Sequence, residues 1–392
     1  MRLAATAVDG FCTRIPGELA MSPSQLASTP LDQWHRDAGA RMVPFAGYEM
    51  PIQYGSIVTE HQACRNAAAL FDVSHMGRLR FDGPGSVAFL DRLLTRDIRN
   101  MPLGRVRYSL ICNENGGILD DVLVYHVETP SQNPYHLMVV NASNREKIIR
   151  WIEPLLADFP EVIVTDRTDL TAMIAVQGPK AMAACRRLFS YDPTRLKYYH
   201  AVITNQFSKP ALVSRTGYTG EDGLELIVRA EEAPRIWENI LLAGRDEGFM
   251  AAGLGARDTL RMEAAMPLYG HELNETIDPF SAGLGFACDL DGRDFIGGDA
   301  LREIKATGPK QIRIGLLPDG KRPAREGCEV LDQAGNSVGV ITSGGPSPTL
   351  DRPIAMAMVD ASAATHDTLQ IDIRGKRVDA TRTDLPFYKR PV

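Results

Sequence analysis

The sequence predicts an α+β protein that ends in a small antiparallel β-barrel. Three observations indicate this fold class. From about Leu31 onward, short strand-like segments alternate with amphipathic helical segments. After Pro309, the segments become short and alternating and are separated by Gly, Pro and Asp turns, which is typical of a small barrel or sandwich. The 392 residues are enough for two or three domains, each with its own core.

The first part of the chain, residues 28–305, is expected to form two α+β subdomains. A Gly-Pro-Gly turn precedes residues 86–94, whose apolar spacing is helical. Residues 135–140 are predicted as a strand, and residues 143–152 as a helix with a Ser or Asn cap. Residues 177–185 repeat the turn-then-helix pattern, with Pro179 near the first helical position.

The second part, residues 309–392, is expected to form the barrel. Its predicted strands cover residues 311–317, 328–331, 337–343, 354–359 and 369–373.

The amino-terminal segment does not show this pattern of strands and helices. Its first twenty residues mix basic and acidic side chains and lack a continuous apolar run, which argues against a secretory signal. We expect residues 1–27 to be a disordered extension, with Met21 as an alternative start of the protein.

The composition argues against several classes of protein. The net charge is −6 and no Lys/Arg block stands out, so nucleic-acid binding is not expected. No apolar run reaches the length of a membrane span. The six scattered cysteines, without a Cys-x-x-Cys pair, indicate reduced thiols, and the eight scattered histidines give no zinc pattern. We therefore expect a soluble, cytoplasmic protein that uses no metal. We also expect it to be a monomer.

Two carboxylates stand in the middle of an apolar, β-branched stretch. The sequence Gly-Gly-Ile-Leu-Asp-Asp-Val-Leu-Val-Tyr, residues 116–125, predicts a turn followed by a strand with at least one buried face. Burying an ionised carboxylate without a partner is costly. Because adjacent strand residues point to opposite faces, at most one of Asp120 and Asp121 faces any given pocket. A strand-edge turn, with both aspartates in water or bound to backbone amides, explains the pattern equally well.

A third carboxylate follows a glycine-rich turn. In Gly-Tyr-Thr-Gly-Glu-Asp-Gly-Leu-Glu-Leu, residues 217–226, the turn leads into a strand with Glu225 on the face opposite its leucine neighbours. On a rigid strand, such a carboxylate can accept two parallel hydrogen bonds from a flat donor pair, such as the edge of a pterin. Taken alone, the motif fits an edge strand with Glu225 in water better.

The predicted helix at residues 253–266 carries two arginines four residues apart. Like charges at this spacing repel, so a negative group from the protein or a ligand is expected near Arg257 and Arg261. The alternative is an exposed helix face on which Arg261 pairs with Asp258.

A serine and a histidine are adjacent in Phe-Asp-Val-Ser-His-Met-Gly, residues 71–77. Such a pair can serve nucleophilic catalysis, but no Gly-x-Ser-x-Gly elbow or triad order accompanies it. We therefore favour a structural role for His75.

Together and in this order, the motifs resemble one family, the aminomethyltransferases or T-proteins of the glycine cleavage system. The resemblance runs from Thr29 to Arg390, nearly the whole chain. Its motifs are Val-Pro-Phe-Ala-Gly-Tyr from 43, Leu-Phe-Asp-Val-Ser-His-Met-Gly from 70, Asn-Gly-Gly-Ile-Leu-Asp-Asp from 115, Gly-Tyr-Thr-Gly-Glu-Asp-Gly-Leu-Glu from 217, Gly-Ala-Arg-Asp-Thr-Leu-Arg-Met-Glu from 255, Leu-Tyr-Gly-His-Glu-Leu from 268 and Thr-Ser-Gly-Gly-Pro-Ser-Pro-Thr-Leu from 342.

The resemblance implies a three-part cloverleaf around a central folate site, with the barrel as its C-terminal part. It implies that Asp121, the second Asp of its pair, is the catalytic group beside the reactive folate nitrogens. It also implies folate contacts for Glu225 and Arg257. Further pocket positions that match are Tyr108, Asn141, Tyr218 and Tyr388, the last of which is expected to close the pocket.

The implied reaction moves a methylene group from the S-aminomethyl-dihydrolipoyl arm of a carrier, the H-protein, to tetrahydrofolate. Ammonia leaves, and the products are 5,10-methylenetetrahydrofolate and the dihydrolipoyl carrier. Positive charge develops on the transferred carbon, and a preorganised carboxylate, Asp121, stabilises it and orients the attacking amine.

One stretch departs from the family pattern. Phe286 and Asp289 stand where the family often has a Trp and a Lys, which concerns the pocket wall or the partner surface.

Two alternatives to the T-protein remain. A folate-dependent demethylase would act on a free small molecule. A non-catalytic folate-binding accessory protein for iron–sulfur assembly would carry Lys-Gly-Cys-Tyr-x-Gly-Gln-Glu, where this chain has Thr-Ile-Asp-Pro-Phe-Ser-Ala-Gly from 276.

Overall fold

The computed structural model describes residues 26–206 and 209–391. Nearly all of the extension predicted at residues 1–27, including the alternative start at Met21, lies outside the described residues. Where the description begins, Ala27 forms an isolated parallel bridge with Tyr48. No helix within these two ranges is long and apolar enough to cross a membrane.

Helices and strands alternate as expected up to residue 307, and strands dominate after it. The helices are α1 Asp32–Asp37, α2 Ile57–Asn66, α3 Ser86–Leu93, α4 Arg145–Ile152, α5 Ala181–Cys185, α6 Ala233–Ala243, α7 Leu254–Glu263 and α8 Gly298–Thr307. The strands are β1 Arg41–Phe45, β2 Tyr48–Gln53, β3 Ala69–Asp72, β4 Gly77–Asp82, β5 Val106–Cys112, β6 Ile118–Glu128, β7 Pro134–Val140, β8 Ile163–Asp166, β9 Thr171–Gln177, β10 Ala201–Gln206, β11 Lys209–Ser214, β12 Gly223–Arg229, β13 Met250–Ala251, β14 Gln311–Pro318, β15 Glu329–Leu331, β16 Ser337–Ser347, β17 Arg352–Asp360, β18 Thr368–Ile373 and β19 Lys376–Thr383.

Two sheets form the larger part of the molecule. One has five antiparallel strands in the order β5-β6-β7-β4-β8 and packs against α3 and α4. The other has six strands in the order β10-β11-β12-β9-β3-β13, antiparallel except for the β3–β13 pair, and packs against α5 and α6. Apolar side chains from both sheets and α7 form a shared core between them. Side chains on the inner face of each sheet are therefore the ones that approach the centre of the molecule.

Strands β14–β19 close into a six-stranded barrel in the order β14-β17-β16-β15-β18-β19, with β14 also paired to β19. The predicted α+β class with a C-terminal antiparallel barrel is confirmed. Strand β19 was not predicted, because all its residues except Ala380 are at least partly exposed and most are polar or charged. The division of the chain at residues 305–309 into independent units stays a prediction; α8 ends at Thr307 and β14 begins at Gln311.

The predicted helix at 143–152 is present but begins differently. A short 3-10 helix precedes α4, and Asn144 occupies the N-cap without making a side-chain cap bond. Its amide Nδ2 instead donates to Asp120 Oδ1 at 2.6 Å. The side chain of Asn144, which was predicted as a possible helix cap, therefore binds the carboxylate of Asp120 on β6 instead.

Candidate active site

A cavity of about 1080 Å³ opens where the two sheets, α7 and the barrel meet. Six of the seven side chains that the resemblance implies line this central cavity: Tyr108, Asp121, Asn141, Tyr218, Glu225 and Arg257. They come from β5, β6, the loop after β7, the turn before β12, β12 itself and α7. The fold thus brings together residues that are far apart in the sequence.

Strand β6 sends its two neighbouring aspartates to different surroundings. Asp120 is fully buried and does not line the cavity, whereas Asp121 is partly exposed and does. The alternation of a strand therefore places one carboxylate in the cavity, and it is Asp121. The interpretation as a strand-edge turn with both aspartates in water is wrong, because both lie within β6 and Asp120 is fully buried.

Asn141 joins the two carboxylates. Its Nδ2 donates to Asp120 Oδ1 at 2.8 Å and to Asp121 Oδ1 at 2.7 Å. Asp120 also accepts from the backbone N–H of Asn141 at 3.0 Å and from Asn144. The second oxygen of Asp121, Oδ2, accepts from the Tyr108 hydroxyl at 3.1 Å. Both oxygens of Asp121 are thus held in one orientation from the protein side.

Burial raises the pKa of both aspartates. The pKa of Asp120 rises to about 7 because the carboxyl is buried and because Asp121 adds a like charge. Burial raises the pKa of Asp121 as well, while hydrogen bonds from Asn141 and Tyr108 partly offset it. Across the described residues, neither carboxylate forms an ion pair with a lysine, arginine or histidine. Asp121 is therefore a negative group that the protein leaves without a counter-charge.

Glu225 stands on the opposite side of the cavity. Its neighbours Leu224 and Leu226 are buried in the core under α6, while Glu225 lines the cavity and is only 5% exposed. The Thr216 hydroxyl donates to Oε2. Burial raises the pKa of Glu225, and the Thr216 hydrogen bond and the charge of Arg257 partly offset this. The interpretation as an edge strand in water is wrong, because β12 lies between β11 and β9.

Arg257 projects from α7 toward the same carboxylate. Its guanidinium carbon lies 4.7 Å from the centre of the Tyr218 ring, and its Nη1 is buried without a hydrogen-bond partner in the described residues. Burial lowers the pKa of Arg257, and the charge of Glu225 opposes that shift. The Tyr218 hydroxyl donates to the carbonyl of Pro267 at 2.5 Å, which fixes the ring. An unsatisfied buried donor beside a carboxylate suits a site that a polar ligand completes.

Arg261, one turn later, has a different role. It pairs with Asp258 at 2.9 Å as the alternative predicted, but it is buried rather than on an exposed face. Its Nη1 also binds Glu272 at 2.9 Å, and its Nη2 donates to Ser343 Oγ on β16 at 2.9 Å. Arg261 therefore ties α7 to the barrel.

The expectation for Tyr388 needs correction, because this residue does not line the cavity. Its ring lies 4.0 Å from the guanidinium carbon of Arg65, and its backbone N–H donates to the carbonyl of Glu263 at 2.8 Å. Arg65 is itself paired with Glu221 and Glu263. Tyr388 therefore packs on this buried ionic cluster and is not among the residues that line the cavity.

His75 lines the cavity but lacks the surroundings of a catalytic base. Burial lowers its pKa to about 4, and its Nδ1 has no hydrogen-bond partner in the described chain. The neighbouring Ser74 hydroxyl is engaged with the backbone of Met173 rather than with the histidine. The absence of a Ser–His pair agrees with the structural role that we favoured.

Sequence reasoning missed several residues of the cavity wall. Tyr199 lines it from the segment before β10 and has a positive φ of 56°, rare for a bulky residue. Arg313 reaches it from the barrel strand β14. Phe286 also lines the wall, and only its departure from the family pattern drew attention to it. Within the described residues, no group of three or more His, Cys, Asp or Glu could hold a metal ion; a reaction without metal stays a prediction.

Comparison with known proteins identifies the family. The family described as GCVT N-terminal domain matches residues 31–292, and the glycine cleavage T-protein C-terminal barrel domain matches residues 312–389. The chain belongs to the glycine cleavage T-protein family. The second match covers the closed barrel of β14–β19, and the first covers the two sheets and most of the residues that line the central cavity.

Relatives of this T-protein family member match over nearly their whole length. A protein of Streptomyces avermitilis named Aminomethyltransferase is 44% identical over 376 residues, covering 94% of this chain and 100% of its own length. One of Moorella thermoacetica with the same name is 44% identical over 369 residues, covering 94% and 99%. The crystal structure of glycine cleavage system aminomethyltransferase T from Bartonella henselae has a TM-score of 0.87 at 32% identity, covering 93% of this chain and 99% of that one.

Proposed function

We propose that this protein is the aminomethyltransferase of a glycine cleavage system. It takes the methylene group of an S-aminomethyl-dihydrolipoyl carrier, the H-protein, and transfers it to tetrahydrofolate. The observation that carries the proposal is Asp121, a carboxylate that Tyr108 and Asn141 hold in a large cavity and that forms no ion pair among the described residues. Membership of the T-protein family supports it.

The two walls of the cavity suit different parts of the reaction. Glu225 and Arg257 offer a carboxylate acceptor and a guanidinium donor, which match the flat amide and amino edge of the pterin in tetrahydrofolate. Asp121 then lies beside the nitrogens of tetrahydrofolate that react. We propose Tyr108, Asn141 and Tyr218 as residues that position these three, and we leave Tyr388 out of the folate contacts.

The reaction balances without a metal or a covalent enzyme intermediate. The carbon–sulfur and carbon–nitrogen bonds of the aminomethyl group break, and two carbon–nitrogen bonds to tetrahydrofolate form. Of the two protons lost by the folate nitrogens, one ends on the lipoyl sulfur and the other on the departing ammonia. Asp121 stabilises the positive charge on the transferred carbon and orients the attacking nitrogen, because its oxygens are fixed before the reaction begins.

The donor distinguishes this function from that of a folate-dependent demethylase. A lipoylated H-protein brings the substrate on an arm, so the partner must be a protein. We propose that the enzyme meets this partner in the cytoplasm as a monomer.

The test combines the purified enzyme with aminomethyl-loaded, lipoylated carrier and tetrahydrofolate. We expect ammonia and 5,10-methylenetetrahydrofolate in equal amounts. Omission of the carrier, or its replacement by free methylated sulfur or oxygen compounds, should abolish the reaction. Turnover of a free methyl donor without carrier would support the demethylase instead, and folate binding without any turnover would support the accessory protein.

A further inference from the structure

Phe286 is an exposed aromatic residue on the wall of the central cavity. Its side chain belongs to the short 3-10 helix Gly285–Ala287 and is 66% exposed. Its ring stacks on that of Tyr108, with centroids 6.1 Å apart and planes at 23°. The ring that contacts Phe286 therefore belongs to the residue that holds Asp121 Oδ2.

The loop that carries Phe286 is tied down on both sides of it. Arg96 Nη1 donates to the carbonyl of Phe286 at 2.7 Å, and Arg96 Nε donates to Asp289 at 3.0 Å. The Thr95 hydroxyl donates to the carbonyl of Ala287 at 2.7 Å, and the N–H of Asp289 donates to the carbonyl of Thr95 at 2.9 Å. The two residues that depart from the family pattern thus form one unit, in which Asp289 fixes the loop and Phe286 extends from it.

Burial does not explain why this loop presents a phenylalanine. Because a ring that is 66% exposed gains little from leaving water, the contribution of Phe286 comes from what it contacts. The aromatic contact that it makes is with Tyr108, whose hydroxyl is one of two side-chain donors to Asp121. Because this loop is fixed, its ring limits the rotation of the Tyr108 ring on the side where the two rings stack.

We propose that Phe286 is a positioning residue, which holds the Tyr108 ring so that its hydroxyl keeps donating to Asp121. This inference rests on the proposed function, because it assigns Phe286 a part in the same transfer. Phe286 does not need to touch either substrate for this role. Its effect passes through Tyr108 to the carboxylate.

Loss of the Tyr108 hydrogen bond should be visible in the pH profile. This bond favours the ionised form of Asp121, so its loss raises the pKa of the carboxyl and moves the acid limb of kcat to higher pH. The titratable groups that act on Asp121 are Asp120, Tyr108, Tyr199, Tyr218 and Tyr269. Because burial keeps the four tyrosines neutral at physiological pH, the acid limb reports the two aspartates.

The experiment is a double-mutant cycle with Phe286→Ala, Tyr108→Phe and the combined variant. Phe286→Ala should lower kcat by about tenfold, the scale of one hydrogen bond to a charged group. Its acid limb should move to higher pH, and the KM for tetrahydrofolate and for the carrier should stay within about twofold. The combined variant should be no slower than Tyr108→Phe alone, because both changes break the same contact. Phe286→Tyr, which keeps the stacking ring, should restore wild-type values.

Ile163→Ala is the matched control, since Ile163 is 62% exposed on the edge strand β8 and does not line the cavity.

Additive effects in the cycle would overturn the proposal, as would a Phe286→Ala variant with an unchanged pH profile. A rise confined to the KM for the carrier would also overturn it, because that result makes Phe286 a partner contact. If the wild type does not turn over loaded carrier, the proposed function itself fails; if the wild type is active and Phe286→Ala equals it, only this inference fails.

Discussion

Two walls of the central cavity each present one carboxylate from an inner strand of a sheet, but they differ in the charge beside that carboxylate. On the β6 wall, Asp121 has a second carboxylate, Asp120, as its neighbour, joined through Asn141. On the β12 wall, Glu225 faces the guanidinium of Arg257. Burial raises the pKa of both carboxylates, yet within the described residues only Glu225 has the charge of an arginine acting on it.

This difference separates binding from chemistry. A carboxylate balanced by an arginine gains little from a positive charge, but together the two groups can bind a neutral polar edge. A carboxylate beside another carboxylate gains most when positive charge appears near it, as it does on the transferred carbon. We therefore assign turnover to the β6 wall and folate affinity to the β12 wall.

The largest effect is expected from Asp121→Asn. The amide keeps the size of the side chain but removes the charge, so turnover should fall by about a hundredfold or more, the scale of losing one electrostatic stabiliser. The dissociation constant for tetrahydrofolate should change little. Single-turnover kinetics with loaded carrier and a fluorescence titration with tetrahydrofolate measure the two quantities separately. Near-native turnover in this variant would contradict the assignment of the catalytic group.

On the β12 wall, Glu225→Ala should have the converse effect. Removing an acceptor that a ligand shares with Thr216 should weaken tetrahydrofolate binding by about tenfold or more, as for a hydrogen bond to a charged group. The rate at saturating folate should stay closer to that of the wild type. Glu225→Gln, which retains one oxygen, is the matched control and should lie in between. An unchanged dissociation constant in Glu225→Ala would remove Glu225 from the folate site.

Asp120→Asn tests whether the strand face was chosen correctly. Its oxygens accept three hydrogen bonds from Asn141 and Asn144, and an amide cannot accept all of them, so unfolding in urea should become easier by about 2 kcal/mol. Turnover should fall less than in Asp121→Asn, because Asp120 does not line the cavity. Loss of turnover in Asp120→Asn together with retention in Asp121→Asn would show that the catalytic face is the other one.

The same variant has a pH signature. Because the pKa of Asp120 is raised to about 7 in the folded protein, the unfolded chain releases this proton at lower pH than the folded one. Stability from this group is therefore present below its ordinary pKa and is lost as pH rises toward 7. The stability cost of Asp120→Asn should accordingly be larger near pH 5 than near pH 8. Urea titrations of both proteins across this range check the sign.

The two-residue period of a strand predicted which side chains of the two walls can face the cavity, but not which charges lie beside them. Alternation put Glu225 opposite Leu224 and Leu226 and limited the β6 pair to one cavity-facing aspartate, as the structure has it. The choice of Asp121 depended on the family resemblance. The interaction between the charges of Arg257 and Glu225 joins residues 32 positions apart on α7 and β12, and no local pattern encodes it.

Other predictions from the sequence were wrong or incomplete at positions where tertiary contacts override local sequence signals. Tyr388 was expected at the pocket, but the buried cluster around Arg65 binds its ring. Asn144 had the chemistry of a helix cap and is used by Asp120 instead. Strand β19 was not predicted because its outward side chains are polar. Its extended conformation is stabilised by pairing with β14 and β18. The overall fold class was predictable because periodicity extends over many residues, while these single contacts do not.

The smallest effect is expected from Tyr218→Phe, which sharpens the role of the β12 wall. This change removes only the hydroxyl that donates to Pro267 at 2.5 Å and keeps the ring against Arg257. If the ring sets the position of the guanidinium, tetrahydrofolate affinity should change less than about threefold, and stability should fall by about 1 kcal/mol for the lost hydrogen bond. Tyr218→Leu, which removes the ring, should weaken folate binding further. An affinity loss above tenfold in Tyr218→Phe would mean that the hydroxyl itself contacts the folate, and the β12 wall would then bind through three groups rather than two.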